Sequence, residues 1–312
     1  MPRIVPILTG LTALAACVLT GCGDAEPTTV PGPPADPLPP VAREVVPPSP
    51  IAGPTSEAAL VVSSFGFLYA GEGAVLDALD IDAQASAADQ EPADDACAHD
   101  DFTDPEGQAG VDHQFLRVTE TFGSLQAGGI ADIIIGSAVK NGSMTVMVVV
   151  AEDAVRVVMG QDAPLTGNDG EVLPSGSFRP YLDRAYHADL GPPVVTDGVL
   201  LAGPADVRLK MNIQIVETDL LIRDAYLRLT MGPDGTATGV LQGYWDSAGI
   251  IDVLASTEAH LMALGYSLEE FAAALDANAD RDPDADGVCQ ALSAAFRFDA
   301  VPAFLVADEE AP

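Results

Sequence analysis

The chain has 312 residues, 48% of them hydrophobic, and carries 47 acidic against 13 basic side chains for a formal net charge of −34. So acid a balance excludes nucleic acid as a partner, because phosphate binding needs lysine and arginine, and an anionic lipid surface would repel the domain as well. The length is ample for one large domain with its own core.

Residues 1–21 read as a secretory signal: Arg3 supplies positive charge, Ile4 to Leu19 is an apolar run, and Thr20 and Gly21 are small. Pro6, Gly10 and a length marginal for a span speak against an uncleaved transmembrane helix. The stretch Leu19-Thr20-Gly21-Cys22 resembles the lipobox of bacterial lipoproteins. That resemblance implies an exported protein whose Cys22 is acylated and becomes the first mature residue. Acyl chains contribute roughly 0.8 kcal/mol per buried methylene, so several of them make membrane attachment permanent. In that family an Asp directly after the cysteine can retain the protein at the inner membrane. Gly23 stands here instead and Asp24 follows, which points to the outer membrane.

Residues 22–54 are proline-rich with few large apolar side chains, the composition of a semi-rigid tether. At about 3.1 Å per residue it reaches on the order of 100 Å. The globular domain is expected over residues 55–312. Ala59 to Tyr69 has the content of a strand, and Asp82 to Asp95 that of an acidic loop. A helix is predicted over Ile130 to Lys140, with Ile130, Ile133, Ile134 and Ala138 on its apolar side and Asn141-Gly142 as its stop. Met144 to Val150 reads as a buried strand, partnered by Val155 to Met159 across Glu152-Asp153.

From Val207 to Ile215 apolar and polar residues alternate strictly, which marks a half-buried antiparallel strand. Ala225, Leu227, Leu229 and Met231 continue the pattern, Gly232-Pro233-Asp234-Gly235 supplies a turn, and Thr236 to Tyr244 returns as a hairpin arm. Ile250, Ile251, Leu254, Leu261 and Leu264 suggest a helix ended by Gly265. Ser267-Leu268-Glu269-Glu270 has capping-box spacing for another, striped by Leu268, Phe271 and Leu275. Phe296 to Phe298 alternates again, and Pro302 suits an edge or a strand end.

Cys17 leaves with the signal and Cys22 takes lipid, so Cys97 and Cys289 remain. An exported compartment favours their pairing, with free thiols or a bond to another chain as alternatives. Asp282-Pro283-Asp284-Ala285-Asp286-Gly287-Val288 sets carboxylates at alternate positions before a glycine, a pattern that can gather Asp282, Asp284, Asp286 and the Val288 carbonyl around Ca2+. It resembles the calcium loops of thrombospondin type 3 repeats over about eight residues, and more distantly an EF-hand loop. It departs at the closing position, where Ser293 replaces an acidic ligand. A second acidic stretch, from Asp94 through Gly110-Val111-Asp112-His113-Gln114, offers Asp101, Asp104 and Asp112 as calcium ligands. A Cys97–Cys289 bridge would crowd both acidic segments, and such crowding calls for a cation. Zinc finds no paired Cys/His spacing at Cys97, His99 and His113, and His187 and His260 stand alone.

No serine-hydrolase elbow, phosphate loop or zinc-protease motif is present, and no organic cofactor is indicated. An Asp/Glu pair for glycoside hydrolysis stays open. Tyr244 and Trp245, beside Asp246, are a candidate sugar-stacking platform. These readings predict a mainly β fold with helical additions, an antiparallel β-sandwich or jelly-roll-like domain with C-terminal helices. In layout the chain resembles envelope lipoproteins of Gram-negative bacteria. The function expected is a lipid-anchored, non-catalytic display domain, with Ca2+ as a candidate stabilising ion, binding a glycan or protein of the envelope or exterior. An exported hydrolase and a passive structural lipoprotein are the alternatives.

Overall fold

β1 (Ala58–Phe67) lies mid-sheet and shows how the curl of the fold arises. Leu60 and Val62 face the main core, and so do Phe65 and Phe67, because a bulge between Val62 and Ser64 shifts the phase by one residue. An extra residue of this kind also adds twist and bends the strand. The computed structural model describes residues 58–71, 75–88, 96–213, 216–256, 262 and 265–306. The signal segment, Cys22, the tether, Asp94, Asp95, Ile215, His260, Leu261 and Leu264 lie outside the described residues.

After β1 come a small hairpin, β2 (Phe102–Thr103) with β3 (Ala109–Val111), and the helices α1 (Phe115–Thr121) and α2 (Ile130–Asn141). β4 (Val146–Val150) turns directly into β5 (Val155–Met159), as the valine-rich runs predict. Three short strands follow: β6 (Gly176–Phe178), β7 (His187–Asp189) and β8 (Val194–Thr196). The meander is built from β9 (Val199–Ile213), β10 (Val216–Met231) and β11 (Ala237–Asp246). Helices α3 (Ser247–Ser256) and α4 (Leu268–Asp276) then lead to β12 (Arg281–Pro283) and β13 (Cys289–Leu305).

The strands join in the order β7-β5-β4-β1-β13-β11-β10-β9-β8, with β12 and β6 paired to opposite ends of β13. The ladders along this path are antiparallel. The fold is therefore mainly β with helical additions, as the periodicity predicts. The facing layers of a sandwich are supplied by one continuous sheet that curls on itself: Gly203 of β9 donates its N–H to Leu190 O, just past β7, at 3.0 Å.

The main core fills the inside of the curl. Val207, Leu209 and Met211 enter it from β9, while Leu292, Phe296 and Phe298 enter from β13, and Phe296 packs on Phe65 at 5.4 Å. On β10 the inward residues change from Leu220 and Ile222 to Ala225, Leu227 and Leu229 across a second bulge. Two smaller cores lie outside the sheet. One sets Leu76, Phe102, Val111 and Leu116 against Val240 and Ala295; the other sets Val172 and Phe178 against Val61 and Met147.

The helices close the main core. α4 starts with the predicted capping box: the Ser267 side chain accepts from Glu270 N–H, and Glu270 reaches back to Ser267 N–H. Its Phe271 stacks on Phe122 at 3.8 Å. α2 spans the predicted residues and ends at Gly142 in the left-handed region, but its buried side is Ile135, Ala138 and Val139. Ile130 and Ile133, expected inside, are 41% and 66% exposed. Pro302 falls where β11 has left β13 at Ala300 and β6 has not yet joined at Ala303, so its missing N–H breaks neither ladder.

Candidate functional site

Cys97 and Cys289 form the predicted disulfide, with Cα atoms 6.1 Å apart across 192 residues of sequence. The bond lays the segment that precedes β2 alongside β12. Cys97 N–H donates to Asp280 O at 2.9 Å, Ala96 bridges Arg281, and His99 Nε2 donates to Ala279 O at 2.9 Å.

The Gly110 to Gln114 stretch fastens this layer to the outer face of the sheet. Gly110 passes over Asp80 with φ of 114°, a conformation that favours glycine, and a Cβ there would come within 3.1 Å of the Asp80 carboxylate. The Gln242 amide donates to Asp112 O and Leu79 O and accepts Leu79 N–H. His113 accepts Ala295 N–H at Nδ1 and donates from Nε2 to Leu68 O, which fixes a neutral tautomer; burial lowers its pKa to about 4. Gln114 N–H donates to the Ser293 hydroxyl. His113 is thus a structural residue in the outer layer, and zinc has no part in its bonding.

Beneath this layer is a cavity of about 10 Å³, on the order of what one water or one ion occupies. Asp82, Asp101, Asp112, Asp280, Tyr244 and Arg281 line it. Asp112 is 5% exposed and accepts the N–H groups of Ile81 and Asp82. Its carboxylate lies with those of Asp80 and Asp82 so that one oxygen of each falls within 4.8 Å of the others. At an effective dielectric near 20, two such charges repel by roughly 3 kcal/mol. This trio can hold a metal ion.

Three carboxylates in this region answer the crowding by holding protons more tightly. Burial, then the charges of Asp82 and Asp101, raises Asp112 well above the usual carboxylate range. Burial raises Asp101 to about 6, with Asp82 and Asp80 adding to it. Asp280 is raised to about 7, again chiefly by burial, although Ser293 donates to it twice.

Tyr244 projects into the same cavity. The residue is 5% exposed. Burial, followed by the charge of Asp112, raises its pKa, while Arg281 lies over the ring at 5.0 Å. The Tyr244 ring thus forms one wall of the space that the carboxylates surround. Comparison with protein-family models, curated proteins and solved structures gives no match. The site is therefore read from its own geometry.

The other predicted ligands are not gathered here. Asp282 pairs with Arg223 at 2.5 Å. Asp284 closes its own turn, accepting the N–H groups of Asp286 and Val288. The Val288 carbonyl accepts from Asp284 N–H and Gln290 Nε2, and Asp286 is exposed. Asp104 accepts Gln108 N–H at the tip of the β2–β3 hairpin. Of the seven, Asp112 alone belongs to the trio, and Asp101 lines the cavity beside it.

Asp80 and Asp82 were missing from the sequence reading. Their signal was the same alternate spacing that drew notice to Asp282 and Asp284. Tyr244 and Trp245 form no platform, because they sit on opposite faces of β11. Trp245 packs inward on Phe115 at 5.3 Å and on Phe296 at 6.0 Å. Among the described residues no helix is long and apolar enough to cross a membrane.

Proposed function

We propose that the chain is a non-catalytic binding domain, exported and held at the bacterial outer membrane by acylated Cys22, and that Ca2+ in the acidic cavity stabilises its outer layer. The observation that carries this reading is the Asp80, Asp82 and Asp112 trio, whose Asp112 is buried and lines the cavity with Asp82. Ca2+ takes six to eight oxygens in flexible geometry, whereas Mg2+ demands a near-ideal octahedron; carboxylates drawn from two separate segments suit the former. The hydrolase alternative would draw on the raised Asp101 and Asp112, since a general acid needs a raised pKa. A cavity of about 10 Å³ admits one small species, not a glycosidic bond, and so favours the binding domain.

The test is thermal unfolding of the oxidised full-length chain in detergent, stripped with chelator and then given millimolar Ca2+ or Mg2+. At 100 times its dissociation constant a native-state ligand adds about 2.7 kcal/mol, which corresponds to a rise of roughly 5–10 °C. We expect that rise with Ca2+, its loss in Asp80→Asn and Asp82→Asn, and its retention in Asp284→Ala. No Ca2+-specific shift overturns the metal reading. The anchor is tested separately, by the mass of the mature N-terminal peptide, which should lose its acyl chains in Cys22→Ser.

A further inference from the structure

A second concavity lies on the outer face of the sheet, at the rim of the layer held by the disulfide. It has a volume of about 250 Å³ and shares no lining residue with the acidic cavity. Its floor follows from strand register. Arg228 of β10, Val240 of β11 and Arg297 of β13 stand opposite one another in one row, and Thr230, Thr238 and Asp299 in the row two residues along. With strands about 4.8 Å apart, the two arginine Cα atoms are separated by about 10 Å across Val240. Val240 itself is covered by the outer core, and the two arginines line the concavity beside it.

Both arginines leave N–H groups unbonded at this concavity. Arg228 is largely buried and donates from Nη2 to the carbonyl and carboxylate of Asp77, both at 2.7 Å. Its Nε and Nη1 have no partner among the described residues. Arg297 is exposed and has neither an ion pair nor a hydrogen bond among the described residues, although Asp299 follows two positions later on the same face. Arg179, Arg208 and Arg223, like Arg228, each hold a carboxylate, in contrast to Arg297.

We infer that this cleft binds a carboxylate carried on a compact, hydroxylated body, the chemistry of an acidic sugar. A guanidinium fork matches the plane of a carboxylate and bonds it through two parallel N–H groups. The Thr230 and Thr238 hydroxyls can donate to or accept from ring hydroxyls, and Asp299 can accept from them. The volume lies below the usual range for drug-sized ligands and suits a single sugar unit. One negative charge per unit also limits repulsion from a chain of net charge −34.

Isothermal titration of the full-length chain with galacturonate, galacturonate trimer and galactose tests this. Galacturonate should bind at least about tenfold more tightly than galactose, a difference of about 1.4 kcal/mol. Arg297→Gln should weaken galacturonate binding by about the same factor, and Arg297→Lys by less, because lysine keeps the charge without the fork. Arg297 is exposed, so these variants test recognition without disturbing the Arg228–Asp77 pair. Trimer binding tighter than monomer identifies a polymer as the source of the acid, and equal binding identifies the free sugar acid. The inference is overturned if neither acid binds up to about 10 mM, if galactose binds as well, or if Arg297→Gln leaves the affinity unchanged.

Discussion

Asp280 accepts both the N–H and the hydroxyl of Ser293, yet burial raises its pKa to about 7, and Asp101 follows at about 6. An unfolded aspartate loses its proton near pH 3.9, so the folded state holds protons that the unfolded state has released. Their contribution to stability is complete below about pH 4 and is lost as pH rises through 6 to 7. His113 has the opposite sign: its pKa falls to about 4, so acid favours the unfolded chain between about pH 6.5 and 4. Between pH 8 and 6.5 the carboxylates outweigh His113, whose unfolded form is only half protonated at the lower limit. Chelator-treated protein should therefore gain roughly 2 °C in unfolding midpoint as pH falls across that window, followed through fluorescence of the single Trp245. Asp280→Asn should flatten the slope; a midpoint that falls over the window would contradict the burial that we assign to Asp280. At this scale the sequence told which residue types matter better than which copies. Asp282 and Asp284 carried the stronger motif, but an arginine and the turn's own N–H groups occupy them. Asp112 gathers partners from positions 30 residues earlier, which no local spacing encodes.

Element boundaries set by local bonds were legible. Ser267 and Glu270 satisfy each other's neighbouring N–H groups within one turn, so the start of α4 is fixed by four residues. Ser267→Ala should cost about 1 kcal/mol and lower the midpoint by roughly 2–4 °C in a thermal melt, while Ser267→Asp should keep most of it. The β9 alternation was legible for the same reason, since pleat and burial repeat together. Where phase depends on a partner strand it was not. The bulges in β1 and β10 each switch which residues face inward, and an extra residue is defined only against the strand opposite. α2 shows a related ambiguity: with isoleucine at 130, 133, 134 and 135, apolar content runs around the helix, and packing against β1 selects Ile135, Ala138 and Val139.

Over the whole molecule the disulfide closes a loop of 192 residues, for which the chain-entropy model gives about 5 kcal/mol. Cys97→Ser or full reduction should lower stability by about 2–5 kcal/mol, read from denaturant midpoints, and should also abolish the Ca2+-dependent shift by releasing the layer that carries Asp101 and Asp112. A Ca2+ response surviving reduction would show that Gln242 and His113 hold that layer unaided. Elimination among four cysteines was enough to predict the bridge. The continuity of the sheet was beyond reach, because β13 pairs with β1 from more than 200 residues away and sets β1 beside β11 only through its own two ladders. That strand, residues 289–305, lies between β1 on one side and β11 on the other. A chain emerging from its amino end must therefore wait, with the edges of β1 and β11 both unpaired, until its last strand arrives. For the export proposed above, this order of synthesis would oppose premature compaction, and a chaperone or translocase that holds those two edges would keep the protein in a form that can still be threaded through a narrow passage.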